Sequence, residues 1–372
     1  MSDSAVCVLP CRVPLAGPFG AGSGGKAITY QTVQISGSGS VLCVQDSMEL
    51  DDTAQPGIAG LGPLRSLRQH GLYVHPTLAV TPDGVPLGVL DAWMWTRDRE
   101  TLGEDKRHWP IEAKESMRWL EGFERCAELA ATLPDTRLVY VADRESDIHE
   151  FMVRAQCHPQ VDWLIRAAQD RKLAEGDTLW DRLAQASVLG EVSFTLPARP
   201  SRPSRPVVLT LRVERVTVQP KGGEPVTVTA LRAREERASV GVDPLDWRLL
   251  TNRPAETLAA AAELIQWYGR RWTIEVFFRI FKTGCRVEAL QLSTLERLEP
   301  ALALYLIIAW RIQYLTVLGR VTPTLPCDAV LDPDEWHPVY VAIHRQPPPT
   351  TPPAARDDRL DRPLGWPFGS QG

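Results

Sequence analysis

The chain has 372 residues, with 41 Lys and Arg against 46 Asp and Glu, a formal net charge of −5 and a pI near 5.9. At 44% hydrophobic and 23% charged it has ordinary globular composition, enough for two or three domain-sized units. This excludes a collagen-like or wholly disordered chain, and a nucleic-acid binder that works by bulk positive field.

Residues 1–38 are rich in Gly, Ser and Pro, end in SGSGS and lack periodicity, so they are expected to be a low-complexity leader. VLCVQ (41–45) is a buried-strand pattern that stops at Asp46. Two further strand patterns, 71–80 and 84–95, flank Thr81-Pro82-Asp83-Gly84, which is hairpin chemistry. Helical spacing over 111–133 closes at Pro134. LVYVA (138–142) then runs into Asp143, and IHEFM (148–152) and WLIRA (163–167) follow as helix and strand. Residues 39–190 thus read as the first part of an α/β core, a mixed sheet with helices packed on it. Residues 191–250 hold β-branched runs of period two and are expected to form an all-β insertion. Helical sequence fills 251–322, first up to Gly284 and then over about 296–319, and 323–372 is expected to be a Pro-rich, partly disordered tail.

The seven cysteines are scattered, with no CxxC pair, which argues against a disulfide framework or a zinc site. No HExxH, GxGxxG or GxxxxGK pattern supports hydride transfer or ATP hydrolysis. The apolar run 301–310 stops at Arg311, about half of the ~20 residues a membrane span needs. It is expected as a buried helix. With no signal-peptide pattern at the N-terminus, the expected location is cytoplasmic, without a membrane partner.

Residues 268–282, YGRRWTIEVFFRIFK, carry the chemistry. At ~100° per residue Tyr268, Arg271, Glu275 and Lys282 share one narrow helical face, and Ile274, Val276, Phe277, Ile280 and Phe281 occupy the opposite arc. A solvated face with an Arg271–Glu275 pair at i,i+4 is the bland alternative. Asp46 and Asp143 each end an apolar strand, where a carboxylate is costly unless capped, paired or bound to metal. Each singly fits a loop or N-cap role. Together with Glu275 they would make a three-carboxylate site, whose oxygen donors suit Mg2+ or Mn2+, a pair of ions ~3.5–4 Å apart being able to drive phosphodiester displacement.

With Tyr268, Arg271, Glu275 and Lys282 at the spacing Tyr-x2-Arg-x3-Glu-x6-Lys, with VQDS around Asp46, VADRESDIHEF around Asp143 and LLTNRP at 249–254, the chain resembles the DDE transposases of the bacterial insertion-sequence 4 group over about residues 40–345. The resemblance implies an RNase H-like fold with the β-rich segment inserted between the second Asp and the Glu. It implies that Asp46, Asp143 and Glu275 are the catalytic, metal-binding triad for two Mg2+ or Mn2+ ions, and that Tyr268, Arg271 and Lys282 grip phosphates beside the scissile bond. Trp247 matches a Trp that stacks on a flipped-out base, the alternative being a core Trp, and Arg166 is a further candidate DNA contact or a plain strand-edge charge.

The expected partners are double-stranded DNA, as transposon ends and target, and a second copy of the chain when DNA is bound. The expected reaction is cleavage at the transposon end followed by attack of the freed 3′-hydroxyl, with a hairpin intermediate in the family pattern. Compared with that pattern the chain lacks an end-binding helical domain before Asp46 and has a Pro-rich stretch beyond about 345, which points to truncation or alteration at both termini. A non-catalytic remnant that binds DNA or a full-length partner is therefore the alternative. A two-carboxylate glycosidase is a third reading, for which the cations beside Glu275 have no use.

Overall fold

In a computed structural model of the chain, the described residues are 39–349, apart from 56, 101, 106–107, 197–202, 221 and 239–240. The expected leader lies outside them. β1 (Ser40–Gln45) is apolar and buried from its second residue onward, and it pairs in parallel with β6 (Arg137–Ala142), from Ser40↔Arg137 to Gln45↔Ala142. On its other side β1 pairs antiparallel with β4 (His70–Val80), which also pairs with β5 (Pro86–Trp95) around the Thr81–Gly84 turn. β2 (Met48–Asp51) continues past β1 along the same side of β4, and β3 (Gly62–Pro63) pairs with the beginning of β4. Since Gln45 pairs with Thr77 and Met48 with Val74, Pro76 falls opposite Asp46. Proline has no N–H to give, so the ladder opens at that aspartate.

β7 (Asp162–Arg166) lies parallel to β6, and β11 (Asp246–Thr251) lies antiparallel to β7. Beyond β11 come β10 (Val226–Arg234), β9 (Arg205–Val218) and β8 (Val188–Leu196), all antiparallel. The strands expected over 191–250 are present, and β8 to β11 extend the core sheet. A single mixed sheet of eleven strands results, in the order β2-β4-β1-β6-β7-β11-β10-β9-β8 with β3 and β5 on β4.

Strand residues alternate between two cores because successive side chains point to opposite faces. Val41, Cys43, Leu138, Tyr140 and Ile165 pack with α1 (Met117–Ala130), α2 (His149–Ala155) and α3 (Leu179–Gln185). Leu42, Val44, Val139, Val141, Leu164 and Leu249 pack with α4 (Leu258–Arg270), α5 (Trp272–Arg279) and α6 (Leu295–Val321). The helix expected over 111–133 is shorter. Residues Ile111–Ala113 form a 3-10 turn that Lys114, in extended conformation, separates from α1.

α6 is long and apolar enough, by length and composition, to cross a membrane. It is buried on one side only: Leu298, Leu302, Leu306 and Ala309 enter the core, Trp310 Nε1 donates to Pro86 O at 2.9 Å, and Leu304 and Ile308 are exposed. The stretch expected as a tail from 323 carries α7 (Pro333–His344), started by a capping box of Asp332 and Glu335.

Candidate active site

The sheet register brings the first two aspartates together. The last parallel pair is Gln45↔Ala142, so Asp46 and Asp143 are the next residues of adjacent strands, which run ~4.8 Å apart. β6 pairs Ala142 with Ile165, so Arg166 continues the row on the far side of Asp143. Val44, Val141, Leu164 and Leu249 all face the α4–α6 core, and two residues along from each, Asp46, Asp143, Arg166 and Trp247 belong to that same face. Arg166 is therefore the next member of the same edge row.

α4 starts at its Thr257 cap, whose side chain accepts from Ala260 N, and α4 and α5 meet at Arg271, which keeps helical dihedrals. The expected apolar arc is in the core: Ile274, Phe277, Ile280 and Phe281 are buried. The four chemical residues do not share one environment, however. Tyr268 is buried, with its ring edge-on to Trp247 at 5.4 Å, and Trp247 stacks in turn on Phe194 at 6.2 Å. Burial raises the Tyr268 phenol, and the neighbouring cations Arg271 and Arg166 oppose that. Trp247 is half-buried, so it is neither a full core residue nor a free surface ring.

Arg271 joins two of the carboxylates. Its Nη1 lies 2.6 Å from Asp46 Oδ2, and its Nη2 lies 3.3 Å from Glu275 Oε1, which is also the i,i+4 pair expected on a helix. Lys282 sits in a π-turn, Ile280–Gly284, closed by Cys285 N to Ile280 O at 2.8 Å, so the regular helical spacing assumed for it ends there. Its Nζ pairs with Glu288 at 3.2 Å and lines a cavity of about 500 Å3 with Ser47, Tyr73, Arg97, Arg118 and Glu145.

Burial pushes the Asp46 carboxyl up to about 7; Arg271 opposes this, Asp143 and Glu275 add to it, and the Ser47 N–H, 2.8 Å from Oδ1, opposes it. Three like charges thus converge on poorly solvated space, which a cation relieves. Asp143 also caps the Arg144–Ser146 turn, its Oδ1 accepting from Glu145 N at 2.8 Å. Among the described residues no three carboxylate, His or Cys side chains stand in ligating geometry, so the expected cage is not preassembled. The Arg271 guanidinium takes the bridging place between Asp46 and Glu275. The donor set, carboxylate oxygens around a site already held by a cation, fits a hard divalent ion.

Arg118 of α1 was not marked by any sequence pattern. Its Nε donates to Ser47 Oγ at 3.1 Å and its Nη2 to Glu145 Oε2 at 3.0 Å, so it touches the residue after Asp46 and the residue two after Asp143. Ser47 Oγ also lies 2.8 Å from His75 Nδ1. Burial and the adjacent Arg118 hold the His75 imidazole well below its usual range, which favours its neutral form. Only the closeness of Ser47 and Glu145 to the aspartates hinted at this network.

A large mixed sheet with helices on both faces, two aspartates following adjacent parallel strands and a glutamate on a later helix joined to the first of them through Arg271 make up an α/β protein of the kind a DDE transposase domain forms. The chain belongs to the transposase DDE domain family, whose model matches residues 121–311. The match includes Asp143 and Glu275 and begins after Asp46.

Proposed function

We propose that this family member is an active DNA transposase of the insertion-sequence 4 group with an RNase H-like core, cutting transposon-end phosphodiesters and transferring the freed strands. The observation that supports the reading is the register-defined pair Asp46 and Asp143 joined through Arg271 to Glu275. In this reading Asp46, Asp143 and Glu275 hold Mg2+ or Mn2+, two ions at full occupancy. A divalent ion bound there supplies activation of the attacking water or 3′-hydroxyl and stabilisation of the leaving oxygen. Arg271, released from Asp46 when the ion binds, turns its fork to a phosphate, a geometry guanidinium suits.

Lys282 and Arg166 flank the carboxylates on either side and hold the DNA backbone, and Tyr268 supports Trp247 from behind. Trp247 stacks on a displaced base, a contact worth ~1–3 kcal/mol. The partners are double-stranded transposon ends and target DNA, with two copies of the chain on the DNA, in the cytoplasm. Within the domain layout, residues 39–190 and 251–322 carry the site and 191–250 form the β-rich arm.

The test is Mg2+-dependent nicking of cognate end DNA by the purified chain and by Asp46→Asn, Asp143→Asn and Glu275→Gln. Wild-type cleavage lost in all three, with end binding retained, is the expected outcome. Cleavage at the wild-type rate in any of them removes that residue from the triad. End binding without cleavage by the wild type supports the non-catalytic alternative.

A further inference from the structure

Beyond the last parallel pair, Gln45↔Ala142, no ladder bond fixes how far apart the two strands carry their aspartates. Yet each aspartate is held by a backbone N–H on its own strand's continuation: Asp46 Oδ1 by Ser47 N and Asp143 Oδ1 by Glu145 N, both at 2.8 Å. One side chain connects those two holding residues. Arg118 donates Nε to Ser47 Oγ and Nη2 to Glu145 Oε2, and it is anchored to its own helix by Nη1 to Glu115 O at 2.7 Å. Its guanidinium lies over the Trp95 and Trp119 rings, with centroids at 5.0 and 5.6 Å, so the fork is fixed in plane as well as in position. The body of α1 packs on the face opposite α5, and the Arg118 side chain reaches the sheet edge in the cavity that Lys282 also lines.

We infer that Arg118 is a positioning residue for the candidate metal site, tying Ser47 to Glu145 so that Asp46 and Asp143 are held at the separation a divalent ion requires. The inference rests on the reading of Asp46, Asp143 and Glu275 as metal ligands. Groups that hold ligands without touching the ion set affinity by restricting ligand motion, and their loss costs ~10–100-fold in metal affinity or activity. A lysine at this place has one ammonium and no fork, so it can reach one partner but not bridge both. Glu145 acts only through Arg118, so removing it after Arg118 is gone changes nothing further.

The experiment is Mn2+ binding to the full chain without DNA, read by the electron paramagnetic resonance signal of free Mn2+, with the melting temperature of the metal-free protein followed in parallel. Expected is a ~10-fold or greater loss of Mn2+ affinity in Arg118→Met, with a smaller loss in Arg118→Lys and in Glu145→Ala. The double variant is expected to bind as Arg118→Met does. Glu145 has its side chain 57% exposed, so Glu145→Ala keeps the fold and the test stands even if Arg118→Met does not fold. Wild-type Mn2+ affinity in Glu145→Ala, together with wild-type affinity in whichever Arg118 variant folds, overturns the inference. Wild-type affinity in Asp46→Asn, or no Mn2+ binding by the wild type, instead overturns the ligand reading, and the inference falls with it.

Discussion

Arg271 is the residue on which the electrostatics of the site turn. It lies with its side chain 16% exposed between a carboxylate 15% exposed and another 38% exposed. Removing one partner of such a pair leaves charge facing charge in poorly solvated space, which is costly. Arg271→Met is therefore expected to destabilise the metal-free protein by about 1–3 kcal/mol. In the proposed site the guanidinium and a divalent ion would compete for Asp46, so added Mg2+ should raise the melting temperature of Arg271→Met more than that of the wild type. Calorimetry with and without Mg2+ checks both, and an equal Mg2+ response in the two proteins would exclude the competition. The chemical identity of this residue was legible in the Tyr-x2-Arg-x3-Glu-x6-Lys spacing. Its ion pair with Asp46, 225 positions away in sequence, was not, because only the packing of the α4–α5 junction against the sheet brings them together.

At the scale of elements, α1 sits unusually close to the sheet. Gly122 faces the amide of Gln45, and a Cβ built there would lie 1.9 Å from Nε2. That amide cannot swing away without loss, since Nε2 donates to Thr77 Oγ1 at 3.0 Å and Oε1 accepts from Tyr140 at 2.6 Å. Gly122→Ala, favourable on helix propensity alone, is expected to destabilise by about 1–3 kcal/mol as an overpacked contact. Urea unfolding of the variant checks this, and a gain in stability would show that α1 can move outward. The strands β1, β4, β5, β6 and β7 were readable from apolar runs and turn residues, and so was α6. The π-turn was not readable, since Ile280 and Phe281 fit an ordinary helix equally well, so the pairing of Lys282 with Glu288 was not foreseen. The short β2 and α3 escaped notice because four and seven residues are too few to show a period, and α7 did so because its Pro333 and Pro338 and the prolines after it read as a Pro-rich tail.

The whole molecule stacks helices on both faces of one sheet, and its stability depends on pH through groups buried between the layers. Asp91, on β5 beneath α1, is 4% exposed. Burial pushes its carboxyl up to about 6, against which Arg125 acts. A folded-state value above the ordinary 3.8 means that this group's contribution to stability is complete below that value and is lost as pH rises through about 6. Asp91→Asn is therefore expected to be more stable than the wild type at pH 8, by up to about 3 kcal/mol, and to lose that advantage near pH 4. Thermal unfolding at the two pH values checks it, and an advantage that persists unchanged at pH 4 would rule out the titration. The −5 net charge excluded only binding by bulk field, and residues 268–286 hold five Arg and Lys against one Glu. What composition could not reveal is that the β-rich arm shares its sheet with the core, because strand patterns state no partners.

The parallel pairing of β1 with β6 also governs when the site can exist. β1 leaves the ribosome long before its neighbour β6, and β7 must then wait for β11 before its second edge is covered. Pairings of such sequence separation form slowly, since loop-closure entropy is lost before the contacts return it. Glu275 and Arg271 arrive only after β11. During synthesis the aspartates therefore spend their early life without the Arg271 guanidinium and the Glu275 carboxylate, so the proposed site is complete only in a chain made past Glu275.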